Sequence, residues 1–188
     1  MLIVAALVNF GVNGIQYAIQ LHLVSCGTNA TSIGFISGGI SLMMLVGSLL
    51  AGKLSDKVPV GPTVCLAYLF ICLCVLPMTL TDSYWIMLVA NSFVGLPFPL
   101  INAMLLGFIF AKSPTSMQGR ITVTLTVPAQ VLSMFCSAVA GTLLPVFGFH
   151  GAVLVFLAVL VASAVLVTCS RSIRGIPGAS QWEHTMLR

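Results

Sequence analysis

Charge is what this sequence has least of. Of its 188 residues seven are basic and three acidic, 5% in all, where an ordinary soluble domain carries about a quarter. A water-solvated surface cannot be built from that supply. The net charge of +4 is too small and too scattered to grip nucleic acid. A hydrophobic content of 59% and a mean hydropathy of +1.16 rule out a disordered chain. The marks of chemistry are missing too. No C-x-x-C pair joins any of the six cysteines, which signals neither a metal site nor a disulfide framework. There is no H-E-x-x-H and no P-loop, and G-F-I-S-G around Ser37 is one residue off a serine elbow. No catalytic residue, metal ligand or cofactor is therefore expected, and the chain does not read as an enzyme. A basic lead-in before L-I-V-A-A-L-V is also absent, which argues against a cleaved signal peptide.

What is present is apolar length. Stretches run at about 2–24, 32–53, 63–81, 84–111, 119–144 and 149–170, separated by short turn-rich polar breaks. Each has roughly the 20 residues a membrane-crossing helix needs, and none alternates with period two as a barrel strand would. The expected fold is an all-α integral membrane bundle of six transmembrane helices over 1–170, followed by a short tail, 171–188. Its two halves, 1–81 and 82–170, hold three spans each and so run in opposite senses, a 3+3 inverted repeat. Lys53 and Lys57 flank the second loop, Lys112 and Arg120 the fourth, and Arg171, Arg174 and Arg188 belong to the tail. The other three loops hold no basic residue except His150. The positive-inside rule then places both termini in the cytoplasm of a multi-pass protein of the cell membrane.

Polar residues inside the spans fall on faces. In the first span Asn9, Asn13, Gln16 and Gln20 stand at offsets 0, 4, 7 and 11, one narrow helical face. The second span has Ser37, Ser41 and Ser48, and the fourth has Asn91, Gly95 and Asn102. The fifth has Thr122, Thr126, Gln130, Ser133 and Ser137. The third and sixth lack such a stripe and read as lipid-facing or packing helices. Ser37 and Ser41, beside Gly34, Gly38 and Gly39, read as residues that let helices approach closely. Four amides facing one way are different: hydrocarbon cannot satisfy them, so they point to water or a ligand. Asn9, Asn13, Gln16, Gln20, Asn91, Asn102 and Gln130 are the candidate substrate-cavity residues, with Tyr17 and Phe98 as aromatic neighbours. His22 and His150 near the other boundary read as solvated. Pro97, Pro99 and Pro128 interrupt spans and mark sites of kinking.

The stretch G-K-L-S-D-K, Gly52 to Lys57, joins the second span to the third. It resembles the loop signature G-x-L-[AS]-D-[RK]-x-G-R-[RK] of the major facilitator superfamily. Gly52, Leu54, Ser55, Asp56 and Lys57 match, whereas Pro59, Val60 and Gly61 depart from it. The run P-T-S-M-Q-G-R and the ending S-R-S-I-R-G-I-P are similar to the drug and macrolide exporter branch. The resemblance implies the C-terminal half of a twelve-helix fold and a secondary transporter working by alternating access. It also implies a gate motif of Gly52, Asp56 and Lys57, for which Arg120 is the available cationic partner.

Three functions stay open: an exporter half, of the multidrug antiporter kind; a metabolite uptake half of the same fold; and a six-span channel or non-transporting subunit. A channel should carry a filter loop or ring of charge, and none is visible. With no Lys or Arg inside any span, neutral or cationic amphipathic substrates suit the chain better than anions. The partners expected are the lipid bilayer, a small-molecule substrate, and either a second six-helix half or another copy of this chain.

Overall fold

A computed structural model of the chain describes residues 2–54, 58–111 and 113–170. Every regular element among them is helical. In order they are α1 (Leu2–Ser25), α2 (Ala30–Leu54), α3 (Val60–Val75), α4 (Tyr84–Val94), α5 (Phe98–Ala111) and α6 (Gln118–Cys169), with 3-10 turns at Leu76–Thr79 and Thr115–Met117. Lipid leaves backbone amides and carbonyls no outside partner, so an apolar run of this length closes its hydrogen bonds within itself. That requirement overrides the modest helix propensity of the many Val, Ile and Gly residues. Among the described residues, five stretches are long and apolar enough to cross a membrane: Ile3–Ser25, Ala30–Leu54, Val60–Thr79, Tyr84–Ala111 and Gln118–Cys169.

The helix ends follow local chemistry. After α1, Gly27 takes φ 69°, with the Gly27 amide bonding the Val24 carbonyl and the Thr28 amide bonding the Leu23 carbonyl. This is a Schellman stop, and its left-handed residue is best supplied by glycine. The fourth stretch breaks between α4 and α5, where Pro97 and Pro99 bring no amide hydrogen and Leu96 bonds back only three residues, to Phe93.

α6 has 52 residues, and a straight helix of that length would reach about 78 Å. It is not straight. Gly148 has φ 68° and ψ −178°, a non-helical backbone at which two helices meet. The Cys136 thiol lies 3.4 Å from the Phe10 carbonyl. A methyl group on the next residue, Gly11, would come within 2.7 Å of Leu160. Positions 24 residues apart in α6 thus reach neighbouring residues of α1, which only a fold-back at Gly148 allows. The run is a first arm, 118–147, and a second arm, 149–169, both lying along α1.

Packing divides the bundle. α1 lies against α6, α2 lies against α4 and α5, and α3 bridges to α6, α4 and α5. The core is apolar and tight: Ile19, Ile36, Ile71, Met78, Met87, Met104 and Phe156 are wholly buried. Close approaches use glycine. Gly14 faces the Phe156 ring, Gly39 the Ser92 hydroxyl, Gly47 the Leu96 carbonyl and Gly95 Ile40. The glycines of the second span divide differently from the sequence reading: Gly34 and Gly38 have nothing within 4 Å among the described residues. In the third and sixth stretches, read from sequence as lipid-facing or packing helices, Tyr68 and Ser163 turn inward.

Candidate functional site

The amide stripe of α1 begins the site. Asn9 donates from Nδ2 to the Ala5 carbonyl and Asn13 from Nδ2 to the Asn9 carbonyl, each at 2.8 Å. These bonds to the preceding turn hold each amide against its own helix. One N–H is occupied, and the side-chain oxygen with the second N–H stays free. Opposite, on the first arm of α6, Thr126 donates to the Thr122 carbonyl at 2.9 Å and Ser133 to the Gln130 carbonyl at 2.8 Å. With their hydrogens spent, both hydroxyls present lone pairs.

These groups surround one cavity of about 370 Å³ between α1, α3, α5 and both arms of α6. Its polar lining is Asn9, Asn13, Tyr68, Asn102, Thr126, Gln130 and Ser133. Val4, Ala5, Val64, Leu105, Leu106, Ile109 and Val167 complete the wall. Asn102 and Gln130 are exposed while Tyr68 is buried, so the cavity deepens from the first two toward α3. No lining residue carries a charge. The volume falls in the range of small-molecule sites, which pair an apolar wall with a few placed polar groups. Such a site can orient a ligand by hydrogen bonds, but it has no acid, base or nucleophile with which to transform one.

Four of the seven residues expected from sequence meet here: Asn9, Asn13, Asn102 and Gln130. The other three do not line the cavity. Gln20 is half-buried, Asn91 is buried in α4, and Gln16 is half-buried higher on α1. The Gln16 Oε1 and Asn91 Nδ2 atoms are buried with no hydrogen-bond partner among the described residues. Tyr17 and Phe98 also stay off the lining, and Tyr68 supplies the aromatic group instead. Sequence reasoning passed over Tyr68 because its span has no polar stripe. Its one signal is a lone phenol amid apolar neighbours, and a buried phenol wants a partner. Of the gate residues, Gly52 is exposed near the end of α2 and Arg120 is exposed in the first turn of α6. Asp56 and Lys57 lie outside the described residues.

A second polar cluster was not legible either. Asp82 Oδ1 lies 3.8 Å from His22 Nε2 and 3.6 Å from His150 Nε2, and His22 stacks on Phe149 with ring centroids 4.4 Å apart. The two histidines are not merely solvated: they flank one carboxylate and gather the end of α1, the turn before α4 and the start of the second arm. No group of three or more metal-ligating side chains is arranged to hold an ion among the described residues.

Residues 1–183 match the family model described as Major Facilitator Superfamily. No curated protein and no solved structure matches the chain.

Proposed function

The chain belongs to the major facilitator superfamily, whose members are transporters and not enzymes, and from that premise we propose that it forms one six-helix half of an alternating-access carrier. The observation that carries this reading is the convergence of Asn9, Asn13, Asn102 and Gln130 on one uncharged cavity. Six crossings are favoured by the fold-back at Gly148, which makes two membrane-length arms of one run. The His22–Asp82–His150 cluster gives independent support, since an alternating six-pass chain brings those three residues to the same end. Two groups of three crossings then stand as a 3+3 inverted repeat, the unit that makes up each half of a carrier whose two halves rock against each other.

The cargo proposed is a neutral or cationic amphipathic molecule. Free carbonyl oxygens and hydroxyl lone pairs suit hydrogen-bond donors, and no basic group is present to hold an anion. Efflux is the direction favoured by the exporter-like run from Pro114 to Arg120. Lys53 and Arg120 share one end of the bundle by connectivity, so that end is assigned to the cytoplasm together with both termini. Asp56 and Lys57, with Gly52 and Arg120, are assigned to a gate at that mouth. The exposed Thr126, Gln130 and Ser137 on the first arm, with Ser41 and Ser48 on α2, require cover by a second bundle. That cover is either another six-helix half or a second copy of this chain.

Accessibility decides the cavity assignment. With the native cysteines replaced, cysteine at Asn13 or Gln130 should react with a membrane-impermeant thiol reagent, and a lipophilic cation should protect it. Cysteine at the buried core positions Val8 and Ile19 should not react. Labelling at Val8 and Ile19 with none at Asn13 and Gln130 would remove the cavity and the transport reading with it.

A further inference from the structure

A second cavity, of about 550 Å³, opens on a different side of the molecule. α2 and α3 are joined by a short loop, yet they hardly touch; each packs instead on α4 and α5. The result is a cleft between them, floored by the proline break at Leu96 and Pro97. Its walls are almost wholly apolar, with Leu50 and Leu54 from α2 and Leu66 and Leu73 from α3. Leu66 and Leu73 are each 67% exposed. The cleft does not belong to the face proposed to meet a second bundle. At 3.6 residues per turn, Gly47, Leu50 and Leu54 stand about 100–160° around α2 from Ser37, Ser41 and Ser48.

We propose that this cleft is a phospholipid site, holding one acyl chain between α2 and α3 with the lipid phosphate on Lys53. Two observations choose that occupant. The first is depth. The wall runs along α3 from Thr63 to Leu73, about 15 Å of helix rise. That is half of a hydrocarbon core of about 30 Å, the reach of one leaflet's chain. The second is charge. The end at Leu54 and Thr63 is the boundary end, and Lys53 is exposed there in the last turn of α2. Its long side chain can lie along Leu54 and lift its ammonium to the phosphate level. Its charge has the sign a phosphate requires. No acid or base lies deeper in the cleft to compete. The site is independent of the substrate cavity, so neither assignment falls with the other.

Native mass spectrometry of the full chain, released from membranes in mild detergent, tests this by counting phospholipid adducts. The unaltered chain should keep one phospholipid. Leu66→Trp with Leu73→Trp fills the cleft from its exposed wall and should lose the adduct. Leu154→Trp with Val165→Trp, at exposed positions of the second arm, should keep it. Lys53→Gln should cut retention several-fold, and adding phosphatidylglycerol to delipidated chain should restore the adduct where diacylglycerol does not. Equal retention by the cleft-filled and unaltered chains would overturn the site. Retention indifferent to Lys53→Gln, or equal uptake of diacylglycerol, would overturn the phosphate contact and the proposal as stated.

Discussion

A single methyl group separates two kinds of glycine in this molecule. At Gly14 it would fall on the buried Phe156 ring, and at Gly47 on the Leu96 carbonyl, which as backbone cannot rotate aside. Overpacking of this kind costs about 1–3 kcal/mol. Gly14→Ala and Gly47→Ala should each lower the midpoint of thermal unfolding in detergent, with Phe156→Leu recovering part of the Gly14→Ala loss and none of the other. Gly34→Ala and Gly38→Ala, with open space around them, should stay within about 0.5 kcal/mol of the parent. Helix entropy by itself favours alanine over glycine, so losses at Gly34 and Gly38 equal to those at Gly14 and Gly47 would mean that contact does not set the cost. Sequence alone does not make this distinction. Gly34, Gly38 and Gly39 share a short glycine-rich run, and periodicity says which way a residue faces, not whether another helix stands there.

At the scale of elements, Gly148 is the more demanding of the two positive-φ glycines. Gly27 ends α1 at φ 69°, whereas Gly148 combines φ 68° with ψ −178°, a region almost closed to residues bearing a Cβ. Gly148→Ala should cost about 1–3 kcal/mol and loosen the second arm, read as faster hydrogen exchange across 149–160. The Asp82 cluster nearby contributes less. Asp82 is 55% and His150 42% exposed, so Asp82→Asn should shift stability by less than about 1 kcal/mol. A larger loss in the same thermal assay would mean that the carboxylate is shielded in the membrane. The all-helical membrane bundle was readable because lipid admits few backbone solutions. Four cavity amides were readable because each is costly anywhere else. The histidine cluster was not, since its three members come from segments 60 or more residues apart in sequence and nothing local links them. Tyr68 was missed for the same reason: its role depends on which helix stands opposite.

For the molecule as a whole, the proposal of one rocking half carries a direct consequence. The acids in the sequence are Asp56, Asp82 and Glu183 alone, none within an apolar stretch. Proton coupling in a carrier uses a titratable group inside the membrane, which a second bundle would have to supply. This chain reconstituted by itself in vesicles, under a proton gradient and with a panel of lipophilic cations, should therefore accumulate none of them above the level of protein-free vesicles. Gradient-driven accumulation by the chain alone would refute the need for a different second half and point to a self-sufficient pair of copies.

The fold-back at Gly148 also sets a schedule. Phe10 meets Cys136 across 126 residues of sequence, and Val4 meets Ser163 across 159. At a synthesis rate of about 5–20 residues per second, α1 waits roughly 6–30 s in the bilayer before the segments that cover it exist. Folding of this bundle closes on α1, so a ribosome stalled before residue 130 leaves behind a product that lacks the α6 surface on which α1 packs.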